Sequence, residues 1–306
     1  MTVKQLHKRF ITDRTPYFLA IVLFIVIRLL WCENILDIRI WLAAALQIGI
    51  ALSLLLLNQI YNLIRKRTVL PAFFFLLFVG TNPLYFNDIK GSIVSLAVII
   101  AWYFLLKTYQ NPQSQREAFN ISLCISLGAV YWPPLLSLFP LFWYGMSRMR
   151  SFNWKTFLAN LFGFILIEIC MFTWALYFDD WSMFTEQKAA LRDLVVIQPI
   201  PFDLFLLIRF LVLISAMILA EINIVATGIS EKVFAKITFG YWFVCALPTA
   251  FCYFFLSQWQ VEWGLISNLP CAFLLSHYFT MSQRKWQSWL FFAIVLFFLL
   301  FLISFW

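Results

Sequence analysis

Apolar runs separated by short polar or basic stretches follow one another from residue 16 to residue 306. A chain that places this much apolar surface in segments of membrane-crossing length must satisfy its backbone hydrogen bonds within each segment, which leaves helices as the spanning structure. Hydrophobic residues make up 63% of the chain and charged residues only 12%, against roughly 25% charged in a soluble domain. The expectation is an all-α, polytopic transmembrane helical bundle. Trp and Tyr settle at the membrane–water boundary, so the 14 Trp and 11 Tyr are read first as lipid anchors.

Candidate segments are 16–31, 40–57, 69–85, 91–106, 119–131, 135–146, 157–178, 204–226, 238–256, 265–280 and 289–306, which gives about 10–11 membrane segments in one integral domain, 1–306. The stretch 69–146 reads as two apolar hairpins in succession. The first turns at Thr81-Asn82-Pro83-Leu84-Tyr85-Phe86-Asn87-Asp88, a polar tip with a carboxylate; the second turns at Tyr131-Trp132-Pro133-Pro134, aromatic and uncharged. The two runs beside Pro133-Pro134 are short for ordinary crossings. They form either a re-entrant hairpin or two thin spans, and both return the chain to the side it left.

Charge sets the orientation. With the amino terminus inside, the inner loops receive sixteen basic residues (Lys4, Lys8, Arg9, Arg14, Arg65, Lys66, Arg67, Lys107, Arg116, Arg148, Arg150, Lys155, Lys232, Lys236, Arg284, Lys285) and the outer loops four (Arg39, Lys90, Lys188, Arg192). Positive residues favour the cytoplasmic side, so the expectation is a bacterial inner-membrane protein with a cytoplasmic amino terminus. A single bent span at 119–146 would put Arg148, Arg150 and Lys155 outside, which favours the hairpin. The net charge of +8 then reports topology, and nucleic acid is not an expected partner. The basic lead from Lys4 to Arg14 precedes an apolar run without a small-residue cleavage pattern and reads as a retained first span. Six cysteines without CxxC spacing mark neither a metal site nor a disulfide framework.

The largest outer loop is 179–203. Phe184, Leu191, Leu194 and Val195 recur in it at helical spacing among Glu186, Lys188, Arg192 and Asp193, which predicts an amphipathic helix lying on the outer surface or capping a cavity.

Ionisable groups within spans ask for an explanation. Arg28 and Arg209 lie within two turns of the outer ends of their spans. They either snorkel to the headgroups or, with Arg39 and Lys90, hold a lipid phosphate through the guanidinium fork. Glu168 lies eleven residues before Asp179, about 16 Å along a helix and so near mid-membrane. It is either a protonated, hydrogen-bonded carboxyl or part of a proton or cation pathway. Glu33 and Asp37 follow the first span four residues apart, and Asp88 sits at the first hairpin tip. Such carboxylates can serve as a general base or hold a divalent cation; outer loops also collect acids simply by being polar. No GxGxxG, Walker A, HExxH or GxSxG pattern is present.

The run NPLYFNDIKGSIVSLAVIIAWYFLLKTY followed by AFNISLCISLGAVYWPPLLSLFPLFWYGMSR resembles the hairpin core of GT-C superfamily glycosyltransferases, which use polyprenyl-phosphate sugars. It is also similar to an uncharacterised family of bacterial envelope membrane proteins that keeps these hairpins. The resemblance spans residues 60–180, the hairpin core. It implies a membrane protein that acts on or binds a polyprenyl-phosphate-linked glycan, with Glu33 and Asp37 at the place of the catalytic carboxylate. The chain lacks a paired Asp-Asp or Asp-Glu in that loop, and it has Tyr131-Trp132 where many relatives place a lysine. It is therefore either a glycosyltransferase or a non-catalytic relative. The rival classes are a transporter or flippase, and a subunit of a complex with another membrane protein. Membrane lipid is an expected contact in every case.

Overall fold

The computed structural model describes residues 15–31, 37–193, 204–227, 232–281 and 285–303. Among them are twelve α-helices and no strand. In chain order the helices are α1 (Thr15–Trp31), α2 (Ile38–Tyr61), α3 (Leu70–Gly80), α4 (Ile89–Lys107), α5 (Gln115–Tyr131), α6 (Phe139–Arg148), α7 (Trp154–Phe178), α8 (Ser182–Asp193), α9 (Leu204–Thr227), α10 (Val233–Phe255), α11 (Gln260–Met281) and α12 (Lys285–Ile303). Short 3₁₀ turns occupy Pro83–Tyr85, Pro133–Leu138 and Ser257–Trp259. Each segment read from the sequence is met by a helix, and α8 is the predicted amphipathic one. Five helices, α2, α4, α7, α9 and α10, contain stretches long and apolar enough to cross a membrane. The chain is a multi-pass membrane protein. Glu33, Cys32, the basic amino-terminal lead and residues 194–203 of the 179–203 loop lie outside the described residues.

The run 69–85 is not one continuous helix. Pro71 opens α3 in its first turn, where a missing N–H costs nothing, and α3 ends at Gly80. The Asn82 carboxamide then accepts the Leu84 N–H at 3.2 Å and starts the 3₁₀ turn at Pro83. Eleven residues rise only about 16 Å, half of a roughly 30 Å hydrocarbon core.

The chain divides into two compact units, one of residues 1–92, 200–254 and 259–306, the other of residues 93–199 and 255–258. In the first, α3 is the axis. All eleven of its residues are buried, and α1, α2 and α11 pack around it. Phenylalanines fill the joints: Phe74 stacks on Phe279 at 5.7 Å between ring centroids, and Phe78 meets Phe298 at 4.7 Å. Every residue of α11 from Trp263 to Thr280 is buried, and Phe273 stacks on Trp242 of α10 at 4.1 Å.

In the second unit, α5 runs along α7. Gly163 marks their closest approach, since a β-carbon there would fall 2.6 Å from the Phe119 carbonyl and against the Ser122 hydroxyl. Asn160 ties the pair further, donating to the Ala118 carbonyl at 3.0 Å and accepting from the Trp143 indole at 3.0 Å. Asn153 and Thr156 form a reciprocal capping box that starts α7. The Gln110 N–H bonds the Met149 carbonyl at 2.9 Å, and Asn153 bonds the Pro112 carbonyl at 2.6 Å. The segment that leaves at residue 115 therefore returns at 148 to the end from which it started. Residues 115–148 are a hairpin, not one bent span.

Candidate functional site

The densest polar construction in the first unit surrounds the first hairpin tip. Thr81 turns its hydroxyl onto the Leu77 carbonyl at 2.8 Å and closes α3. After the 3₁₀ turn, Asp88 accepts the Gly91 N–H at 3.0 Å, and the Ser92 hydroxyl donates to the Asp88 carbonyl at 2.6 Å, which together start α4. A tip of this kind leaves backbone carbonyls without helical partners, and buried side chains supply the donors.

Arg28, in the last turn of α1, is one of them. It is 1% exposed. Its Nη1 donates to the Ile40 carbonyl at 2.7 Å and the Phe86 carbonyl at 3.3 Å, and its Nη2 to Gln47 Oε1. The guanidinium lies over the rings of Phe24 and Phe86, at 4.6 and 5.0 Å. Gln47 passes the connection on, donating to the Tyr85 carbonyl at 2.9 Å and to Ser92 Oγ at 3.2 Å. One arginine and one amide thus join α1, α2, the tip and the start of α4.

Arg209 of α9 approaches the same tip and is built differently. It too is 1% exposed, and its Nη2 donates to the Phe78 carbonyl at 2.7 Å. Its charge faces the rings of Tyr85 (5.8 Å), Phe298 (5.5 Å) and Phe301 (5.1 Å), a favourable contact for a desolvated cation. Nε and Nη1 have no hydrogen-bond acceptor among the described residues. The Tyr85 hydroxyl bonds with Tyr253 and Asn82. Gly264 of α11 lies beneath it, where a β-carbon would strike the Tyr85 oxygen and come within 2.9 Å of the Tyr253 ring.

The acids near the tip are Asp88 and Glu262, with Lys90 beside them. Burial pushes the Asp88 carboxyl above its ordinary range, against the Gly91 N–H and Lys90, which draw it down. Burial also raises Glu262, in the first turn of α11 ahead of the 265–280 run, and Asp88 adds to that rise.

The structure gathers some of the sequence candidates and separates others. Arg28, Arg209, Asp88 and Lys90 belong to the first unit, and both arginines touch the tip. Asp37 is the N-cap of α2, its carboxylate accepting the Arg39 N–H at 2.9 Å, and the Arg39 side chain is exposed. Glu168 belongs to the second unit, where Gln187 of α8 donates to it at 3.2 Å. Gln47, Tyr85 and Glu262 are members of the polar cluster that sequence reasoning did not single out. The one available signal was Gln47, an amide inside the apolar run of α2. Among the described residues no group of three or more His, Cys, Asp or Glu is placed to hold a metal ion.

Neither arginine reaches along its stem toward water. Each guanidinium lies against aromatic rings, Arg28 bonded to two backbone carbonyls and Arg209 to one. No family model, curated protein or solved structure matches this chain.

Proposed function

We propose that this protein binds a phosphate-bearing membrane lipid through Arg209, as a non-catalytic member of a polyprenyl-phosphate pathway of the bacterial envelope. The observation that carries the reading is the Arg209 guanidinium, buried, with a single carbonyl as hydrogen-bond partner and no carboxylate bonded to it among the described residues. A buried cation whose carboxylate partner is missing costs several kcal/mol, which the ring faces offset only in part, and a phosphate offers both the missing charge and three acceptor oxygens. The polyprenyl-phosphate class rests on the resemblance read in the sequence of the hairpins, and the cytoplasmic amino terminus on the distribution of basic residues.

The non-catalytic form is favoured by what the acids do. Asp37 and Asp88 each cap a backbone N–H at a helix start through one carboxylate oxygen, a structural duty that accounts for both acids without catalysis.

Native mass spectrometry of the purified protein tests the reading. Wild type retains a phosphate-bearing lipid. Arg209→Lys, which keeps the charge and loses the planar fork, lowers occupancy by about tenfold or more, the worth of a charge-assisted hydrogen bond. Arg28→Lys, if folded, leaves occupancy unchanged, because Arg28 serves the tip. Absence of lipid from wild type, or equal occupancy in wild type and Arg209→Lys, overturns the reading.

A further inference from the structure

The second unit carries an arrangement that the lipid-phosphate site does not use. Helix α7 has 25 residues and ends at Asp179, which takes a left-handed conformation (φ 51°, ψ 32°) and lets the chain reverse. Helix α8 then folds back beside α7. Phe172 meets Trp181 at 5.7 Å and Phe184 at 6.5 Å between ring centroids, and further along Gln187 donates to Glu168 at 3.2 Å. The order of these contacts is antiparallel. Glu168 lies ten residues inside the end of α7, about 15 Å at the α-helical rise, half the depth of a roughly 30 Å hydrocarbon core. A helix that lies flat on the membrane surface does not reach that depth.

The α5–α6 hairpin borders α8. α5 and α7 start from a common end, and α5 has 17 residues against 25 for α7. With Asn160 of α7 bonded to Ala118 of α5, the end of α5 lies about five residues, roughly 8 Å, short of the far end of α7, and α8 packs on the 3₁₀ tip that follows, Pro133–Leu138. Only the stripe Phe184, Gln187 and Ala190 of α8 is sheltered; Glu186, Lys188 and Arg192 are exposed. Lys188 and Arg192 lie beyond Gln187 in the inward direction. Charged side chains at that depth face either lipid, which is strongly unfavourable, or water.

We infer that α7 and α8 form a re-entrant hairpin lining a water-filled cleft that enters the bilayer to the level of Glu168. Lys188 and Arg192 face the water, and the α5–α6 tip borders the cleft where α8 packs on it. The cleft brings water to the level of the Glu168 carboxyl. Gln187 donates to that carboxyl and holds it at the cleft wall. The opposite face of α7 supplies the contrast, since Ile169 and Cys170, beside Glu168 in sequence, are exposed on an apolar surface.

Cysteine accessibility in proteoliposomes decides it, with a membrane-impermeant cationic methanethiosulfonate as probe and wild type as background for the native cysteines. Glu168→Cys, Lys188→Cys and Arg192→Cys are expected to react within about tenfold of Ser182→Cys at the turn, and Ile169→Cys at least a hundredfold more slowly. Reaction at 188 and 192 with none at 168 puts α8 on the membrane surface and overturns the cleft. No reaction at any of the three removes the water and overturns it as well. For a Glu168→Cys chain that fails to insert, a fluorophore at Arg192→Cys gives the same decision: stronger quenching by mid-chain than by headgroup nitroxide lipids supports the re-entrant hairpin, and the reverse order sinks it.

Discussion

Helices α7 and α11 are of similar length and opposite fate. α7 is the more apolar and qualifies as a membrane-crossing helix, yet only Thr156, Asn160, Gly163, Met171 and Ala175 of its 25 residues are buried. α11 carries Glu262, Ser267, Asn268, Ser276, His277 and Thr280, is not among the five membrane-crossing candidates, and is buried along its whole length from Trp263 to Thr280. In water the ranking would be reversed. In a bilayer, lipid tails are as apolar as leucine, so hydrophobicity gives a helix no reason to enter the protein interior, while polar and small residues do. The five buried residues of α7 follow the same logic, being four small or polar side chains and one methionine on a single stripe.

The contrast predicts where a substitution is felt. The largest effect belongs to Phe273→Ala on α11. Phe273 is fully buried and stacked on Trp242, and its removal leaves a cavity that neighbours on all sides prevent from closing, at a cost of about 3–5 kcal/mol. Steric-trapping or thermal unfolding of the reconstituted protein measures it. A loss below about 1 kcal/mol would mean that α11 is not packed as tightly as its burial implies.

Next comes Gly163→Leu on α7. The helix meets α5 through its narrow stripe, and a β-carbon at 163 already collides with backbone at Phe119. Backbone yields less readily than a side-chain tip, so α5 and α7 must separate, at about 1–3 kcal/mol or more. The same unfolding assay checks it, and loss of a cross-link between cysteines placed at 118 and 160 reports the separation directly. An unchanged cross-link and unchanged stability would show that the stripe is not the contact.

Much of this architecture could be read from the chain because helix placement depends on local pattern. The apolar runs give every segment to within a few residues, and Pro83 with Asn82 and Pro133-Pro134 mark the tips. The depth and company of a side chain do not depend on local pattern. Arg28 reads equally as a snorkelling or a phosphate-binding residue, because its main partner Gln47 is 19 residues away and its carbonyl acceptors belong to α2 and the tip. Arg209 reaches a carbonyl 131 residues distant. The amphipathic pattern of α8 is the same whether its polar face meets headgroups or a cleft. The bond from Gln187 to Glu168, from which the cleft is inferred, joins residues 19 apart, and Gln187 is unremarkable in sequence. Asp37 and Asp88 read in the sequence only as acids of the outer loops; that each also caps a helix start, through the N–H groups of Arg39 and Gly91, is visible only in the structure.

The smallest effect, and the one that sharpens the comparison most, belongs to the exposed face of α7. Phe162 is 61% exposed and lies next to Gly163, so position along the helix is nearly held constant while the face changes. If that face meets lipid, Phe162→Ala exchanges ring–lipid contacts for methyl–lipid contacts. Acyl chains flow into the space, and no cavity remains to carry the penalty seen in a packed core. Stability should then stay within about 0.5 kcal/mol of wild type, as for surface positions elsewhere. A second protein on this face would behave otherwise, because protein atoms do not flow: the substitution would leave a void at the interface, and its cost would rise toward that of Phe273→Ala. Unfolding of Phe162→Ala in bilayers, measured at two protein-to-lipid ratios, separates the cases. A small loss at both ratios assigns the face to lipid, and a loss that grows with protein density assigns it to a partner.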